Sequence, residues 1–318
     1  MATLEHRALG SSGLRVSVLS LGSWRTFERI GYDASVDVMR TARELGITFL
    51  DDARYNDETG NAPIPTGYSE VLFGEVFRAV GWRRDDVVVA NKLWWEFWPD
   101  QRADGELERS LQRMGLGHID LIYSMPPPES LPITEAVEHI AALVTSGRAR
   151  AWGVGNWPPN LLAEARAWCR AKGLPMPCAA QLPYSLRQRD WVEGAGMAPL
   201  LSAGGTSLVA SSILASGIFS GKYLRGEEGR ITGTVIDPHQ GSTGEVARRT
   251  AALADEWGVT PANLAFCFAL SHPALSSVLF GATSPEQVRE NVGSIDVLRR
   301  LSAGQIDQLR GLVDDLEG

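Results

Sequence analysis

The sequence predicts a (β/α)8 barrel of the TIM type, closed at one end by an N-terminal β-hairpin and carrying long loops at the other. Two observations carry that prediction. Short apolar runs rich in β-branched residues recur along the chain, each followed by a stretch of helical period, which is the pattern of βα units around a parallel sheet. There are eight such runs, and 318 residues at 44% hydrophobic content hold a barrel of about 250 residues with insertions. The whole chain, residues 1–318, reads as one domain.

The elements follow in order. "RALGSSGLRVS", with glycines between two potential strands, reads as the closing hairpin. The strand candidates are "VSVLSLG", "ITFLD", "VVVANK", "IDLIYS", "ARAWGVG", "CAAQL", "SLVASS" and "SSVLFG". Between them, Leu107, Leu111 and Met114, then Val137, Ile140 and Val144, recur at spacings of three and four, which places each set on one helical face. Gly46, Gly115 and Gly147 follow helical runs, where a left-handed C-cap is expected. Residues 221–244, "GKYLRGEEGRITGTVIDPHQGSTG", form the one long irregular segment, read as a lid or binding loop or else as disorder.

Composition narrows the function. A formal charge of −8 with scattered basic residues argues against a nucleic-acid footprint, and small molecules are the expected partners. The apolar runs are strand-sized, and "MATLEHRALG" lacks a secretory pattern, so a soluble, cytoplasmic protein without membrane partners is expected. Oligomeric state is not readable. Cys169, Cys178 and Cys267 lack CxxC spacing and read as buried thiols. His239 and His272 lie away from strand ends, and no metal site is expected.

In such barrels chemistry gathers where the strands end. The second strand ends in Asp51 and the third in Lys92, one of only three lysines in the chain. A lysine kept among many arginines offers a compact ammonium of adjustable pKa, or else an ion pair at the barrel mouth. Asn156 and Gln181 close the fifth and sixth strands, two amides suited to a carboxamide ligand or to satisfying loop backbone. After the eighth strand, Thr283 or Ser284 can cap a helix whose first turn holds Pro285 and Glu286, with Gln287, Glu290 and Asn291 on one face. Such an end is an anion site or an ordinary capped helix.

Taken together, "LSLGSWRTF", "GITFLDDA", "GYSEVLFGE", "VVVANK", "WGVGNW", "SGIFSGKY" and "FGATSPEQVREN", in this order over nearly the whole chain, resemble the aldo-keto reductase superfamily, in particular its branch with the potassium-channel β subunits. The resemblance implies NADP(H) extended across the barrel mouth. It places Ser23 and Trp24 near the nicotinamide and ribose, Asn156 and Gln181 on the carboxamide, and Ser212, Leu214 and Ser216 along the pyrophosphate with Lys222 as its cation. Gly281, Thr283, Gln287, Glu290 and Asn291 would surround the adenosine end, and Arg225 and Arg289 a 2′-phosphate.

The family's chemistry uses an aspartate, a tyrosine five residues later, a lysine, and a histidine ending the fourth strand. Tyrosine donates a proton to the carbonyl oxygen as hydride arrives. Asp51 and Lys92 match. Five residues after Asp51 stands Asn56, with Tyr55 one place early; Met125 holds the histidine position, Gly155 replaces a serine, and Ser211 replaces an aromatic. Tyr55 is the first candidate for the proton donor, ahead of Tyr68 and Tyr123. In "LWWEFWPD", Trp94, Trp95 and Trp98 are expected to bring aromatic walls to the mouth, or one or two of them to pack beneath the barrel rim. Trp95, Trp98 and Met125 are the expected substrate contacts. The function implied is an NADP(H)-dependent oxidoreductase acting on a small carbonyl or alcohol with an altered site. Open beside it are an NADP(H)-binding sensor or regulatory subunit with little catalysis, and an enzyme of changed reaction such as conjugate reduction or isomerisation.

Overall fold

The computed structural model describes residues 4–314. A two-stranded antiparallel hairpin, β1 (His6–Ala8) and β2 (Arg15–Ser17), precedes eight parallel strands. These are β3 (Leu19–Gly22), β4 (Phe49–Asp51), β5 (Val88–Leu93), β6 (Ile119–Ser124), β7 (Ala149–Gly155), β8 (Ala179–Pro183), β9 (Ser207–Ser211) and β10 (Leu275–Phe280). They pair in chain order, and β10 pairs back to β3 to close the barrel. The segment "VSVLSLG", read from sequence as one barrel strand, divides at Val18, whose N–H donates to the Glu5 carbonyl. Its first residues belong to the hairpin and its last to the barrel.

The helices α1 (Phe27–Glu44), α2 (Tyr68–Val80), α3 (Ala103–Met114), α4 (Ile133–Thr145) and α5 (Pro159–Lys172) alternate with the first strands. Two short helices, α6 (Asp190–Glu193) and α7 (Ala198–Ser202), come before β9. The pair α8 (Gly241–Trp257) and α9 (Pro261–Leu270) comes before β10, and α10 (Pro285–Arg300) and α11 (Ala303–Arg310) follow it. Gly115 caps α3 in the left-handed conformation, as its place in the sequence requires.

Strand alternation divides the apolar residues into two sets. Phe49, Val88, Ala90, Leu121, Tyr123, Ala151, Ala179 and Val209 meet inside the barrel, together with Leu9, Leu14 and Val16 of the hairpin, which plug its lower end. The residues between them, such as Leu50, Val89, Ile122, Trp152, Ala180 and Leu208, pack outward against the helices. This period of two decides which strand-end residues face the mouth.

The segment 221–244 is anchored, not free. The Tyr223 hydroxyl donates to the Ser216 carbonyl at 3.1 Å and accepts the Ile231 N–H at 3.2 Å, and Ile231 is buried. Only the tip at Val235 and Ile236 is exposed apolar chain. No helix among the described residues is long and apolar enough to cross a membrane.

The plug depends on one close approach. Gly10 has φ +51°, and a β-carbon there would lie 2.1 Å from the Cys178 carbonyl oxygen and 2.4 Å from that of Gly205. Gly10→Ala combines a left-handed backbone with an overpacked contact to rigid backbone, so it is expected to cost about 3 kcal/mol. Urea unfolding checks this; an unchanged midpoint would show that the hairpin does not seal the barrel.

Candidate active site

Asp51, Lys92 and Gln181 each lie two residues beyond an interior residue of their own strand, namely Phe49, Ala90 and Ala179. Alternation therefore turns all three into the mouth. There the Lys92 ammonium is bonded to Asp51 Oδ1, while the other oxygen of Asp51 accepts from Gln181 Nε2 at 2.9 Å. Lys92 Nζ also lies 3.2 Å from the Tyr55 hydroxyl. The structure thus brings Asp51, Lys92 and Tyr55 together, and joins Gln181 to them.

Tyr55 arrives there because its backbone is clamped. Its N–H donates to Ser69 Oγ at 3.3 Å and its carbonyl accepts the Gly67 N–H at 2.8 Å, so the start of α2 holds it on both sides. Asn56, at the fifth position after Asp51, is exposed and forms an isolated bridge with Thr66. Arg54 turns away, buried, onto Glu96 and Thr66 Oγ1. The shorter spacing is absorbed by the loop, and the phenol occupies the place beside the lysine.

The other candidate tyrosines stand apart. Tyr68 opens α2 and packs against the outer core, without a hydrogen bond to Asp51 or Lys92. Tyr123 is wholly buried in the barrel, its ring 6.0 Å from Lys92 Nζ, and forms the floor beneath it.

Electrostatics fix the protonation states. Burial alone would depress the Lys92 ammonium, but Asp51 and Tyr55 outweigh it and hold its pKa above the usual value. Burial raises the Tyr55 phenol; Lys92 opposes this, while Asp51 and Asp52 add to it. At neutral pH the site therefore holds a charged lysine and a protonated phenol.

In the tryptophan loop one residue meets the mouth and two pack beneath the rim, the second of the two readings. Trp94 stands edge-on to Tyr55 at 5.9 Å, and the Trp24 ring lies tilted to it at 6.1 Å. Trp95, expected as a substrate contact, is instead 2% exposed, with its indole N–H donated to Ser124 Oγ at 2.9 Å. The cause is a left-handed backbone at Trp95 (φ 61°), with both Trp94 and Trp95 N–H groups held by the buried carboxylate of Glu106. Trp98, expected beside it, packs on the outer core with its ring 5.4 Å from His139. Met125 stands half-buried at the end of β6, on the rim as expected.

The residues expected for the cofactor occupy the opposite arc, from the end of β7 through β8, β9 and β10 to β3. Ser212, Ala215, Ser216 and Gly217 all have φ between 44° and 92°, so the chain after β9 curls through several left-handed residues, with the Ala215 and Gly217 N–H groups turned onto the Ser212 and Leu214 carbonyls. Leu214 and Lys222 are half-buried beside it. Gly281 sits so near Thr26 that a β-carbon would lie 2.8 Å from its methyl and 3.9 Å from the Arg230 guanidinium. Ser284 caps α10 by accepting from the Gln287 N–H, and Thr283 donates its N–H to the Gln287 side chain at 2.9 Å. Glu290 is exposed and Asn291 buried on the same helix. Asn156, exposed with φ 55°, follows Gly155 on the rim, and Ser23 is buried at the foot of Trp24. Arg225 and Arg289 each already face a carboxylate, Glu227 at 2.6 Å and Glu286 at 3.7 Å.

Two residues escaped the sequence reading. Arg230, from the long loop, stacks its guanidinium 5.6 Å from the Trp24 ring and makes no salt bridge among the described residues. Asp52, the second acid of the pair, is wholly buried; it accepts from Ser23 Oγ, and its Oδ2 has no hydrogen-bond partner among the described residues. The doubled aspartate was the available signal for Asp52, whereas a glycine-rich loop gives no register for Arg230.

Burial, then the nearby Glu70 carboxylate, holds the Asp52 carboxyl well above its usual range. A raised acid contributes most below its unfolded pKa near 4, and stability is lost as pH rises towards the folded value. Asp52→Asn is therefore expected to gain on the parent as pH rises from 4.5, by at most about 1.4 kcal/mol per pH unit. Chemical denaturation across pH checks it; a constant difference would show Asp52 to be ionised throughout.

Residues 18–314 match the aldo/keto reductase family. Over 329 aligned positions the chain is 30% identical to a protein of Oryza sativa subsp. japonica and to one of Arabidopsis thaliana, each described as a probable voltage-gated potassium channel subunit beta. Each alignment covers 98% of this chain and 97% of the relative. A closed eight-stranded barrel, an Asp–Lys pair at its mouth and a match running nearly end to end agree: this chain belongs to the aldo/keto reductase family.

Proposed function

We propose that the protein is an NADP(H)-dependent oxidoreductase that interconverts a small carbonyl compound and its alcohol, with Tyr55 as proton donor and acceptor. The observation that carries this reading is the Tyr55 hydroxyl 3.2 Å from Lys92 Nζ, with Lys92 in turn paired to Asp51.

The donor set of the β7–β3 arc fits the cofactor. Lys222, beside the left-handed turn after β9, suits a pyrophosphate, Gly281 adds no side chain against a sugar, and the α10 N-terminus with Thr283, Gln287, Glu290 and Asn291 suits the adenosine end. Ser23 and Trp24 would hold the nicotinamide riboside, and Asn156 and Gln181 its carboxamide. Arg230, beside Trp24 and without a salt bridge among the described residues, fits a phosphate better than Arg225 or Arg289, whose charges are already matched. When bound, the nicotinamide supplies or accepts the hydride.

The protein's own part is the proton. In reduction Tyr55 passes its proton to the substrate oxygen, and the Lys92 ammonium stabilises the phenolate left behind. In oxidation that phenolate takes the alcohol proton back. Asp51 keeps the ammonium in place, and Gln181 holds the second oxygen of Asp51. Trp24 and Trp94 both pack against the Tyr55 ring and hold it in place.

The likeness to two proteins described as channel β subunits supports a second reading, a cofactor-binding regulatory subunit with little turnover. The two readings separate in one experiment. Tyr55→Phe is expected to lower kcat for NADPH-dependent carbonyl reduction about 100-fold or more, the usual worth of a positioned proton donor, while the cofactor Kd, read by tryptophan quenching, stays unchanged. Adding Asn56→Tyr is expected not to restore it, since that position faces solvent. A parent protein that binds NADPH but oxidises it with no aldehyde or ketone would favour the regulatory reading.

A further inference from the structure

Two departures that look unrelated in the sequence meet in space. Gly155 ends β7 with no left-handed backbone, so its conformation does not call for glycine. Its neighbour does. A β-carbon on Gly155 would lie 2.7 Å from Met125 Sδ, inside any tolerable contact, and 3.8 Å from Met125 Cε. The thioether thus lies across the bare backbone of the next strand.

Met125 is held in that pose from its own main chain. Its N–H donates to the Leu93 carbonyl at 2.9 Å, and its carbonyl accepts from Ser124 Oγ at 2.8 Å. Ser124 Oγ is itself fixed by the Trp95 indole N–H at 2.9 Å. The buried tryptophan thereby sets the direction of the rim residue that follows its strand partner.

The chemical result is an apolar wall. A thioether accepts hydrogen bonds only weakly and donates none, and glycine adds no side chain. Going round the rim from Lys92, the next two strand ends therefore offer a substrate no polar side chain before Asn156, the amide assigned above to the carboxamide. Trp24 and Trp94 are in ring contact with Tyr55, so the mouth combines two indoles at the proton donor with a thioether at the ends of β6 and β7. A substrate hydroxyl placed against Met125 and Gly155 would lose its water without gaining a partner from either, which discriminates against it strongly.

We propose that Met125 and Gly155 act as one unit that determines specificity, selecting carbonyl compounds with an aromatic or other apolar group next to the carbonyl over polyhydroxylated ones. This rests on the oxidoreductase reading and deepens it.

The test uses the full chain with NADPH, benzaldehyde and glyceraldehyde. The parent is expected to favour benzaldehyde in kcat/KM by about 100-fold, and Met125→Gln, which keeps the length and adds an amide, to reduce that ratio about tenfold, chiefly through KM. Gly155→Ser alone is expected to displace the thioether into the mouth and cut benzaldehyde kcat/KM about tenfold, whereas in a Met125→Ala background the same serine is expected to cost nothing further, the signature of coupled residues. Thermal unfolding of each variant verifies that it is folded. Additive effects of the two substitutions, a ratio unmoved by Met125→Gln, or a parent that prefers glyceraldehyde would each overturn the assignment. A parent that reduces no carbonyl removes the oxidoreductase reading and the assignment with it, while one that reduces carbonyls with an unmoved ratio removes only the assignment.

Discussion

The buried ion pair between Asp51 and Lys92 is the constraint on which the rest of the mouth depends. Both side chains are nearly shut off from water, at 3% and 6% exposure, and two charges so placed are costly unless each is fully matched. The match is supplied by neighbours: Gln181 takes the second oxygen of Asp51, and the Tyr55 hydroxyl stands by the ammonium. Four strand ends or loops are thereby tied to one point. The fixed cation beside the phenol offsets part of what burial costs its conjugate base, so what keeps the pair buried also makes it chemically useful.

Much of this was legible in the chain. Apolar runs of strand length marked every barrel strand, and the period of two within them placed Asp51, Lys92 and Gln181 inside once Phe49, Ala90 and Ala179 were known to be interior. The approach of Tyr55 was legible only as a possibility, because loop length in residues does not fix loop path. The deciding contacts, Ser69 and Gly67 on the Tyr55 backbone, come from a helix beginning beyond a loop insertion.

Other features were not legible for reasons of the same kind. Which of Trp94, Trp95 and Trp98 meets the mouth turns on a single left-handed residue and on Glu106, a carboxylate from the following helix that collects two backbone N–H groups. No periodicity reports a φ of that sign at tryptophan, where it is rare. Arg230 and its position over Trp24 depend on the fold of a loop anchored by Tyr223, a tertiary contact without a local sequence signature. The coupling of Met125 to Gly155 is similarly invisible along the chain, thirty residues apart, and plain once β6 and β7 are adjacent.

The bridge between Asn56 and Thr66 has a consequence for how this barrel can diversify. It pins the two feet of the intervening segment together just beyond Tyr55, with Asp57 N–H on the Pro65 carbonyl as a second rung. The segment above is a closed excursion, so its length and composition can change with little strain passed to the phenol below, since lengthening a closed surface loop costs little. Here the barrel separates a part that is free to vary from a part that is not, at a boundary one residue wide.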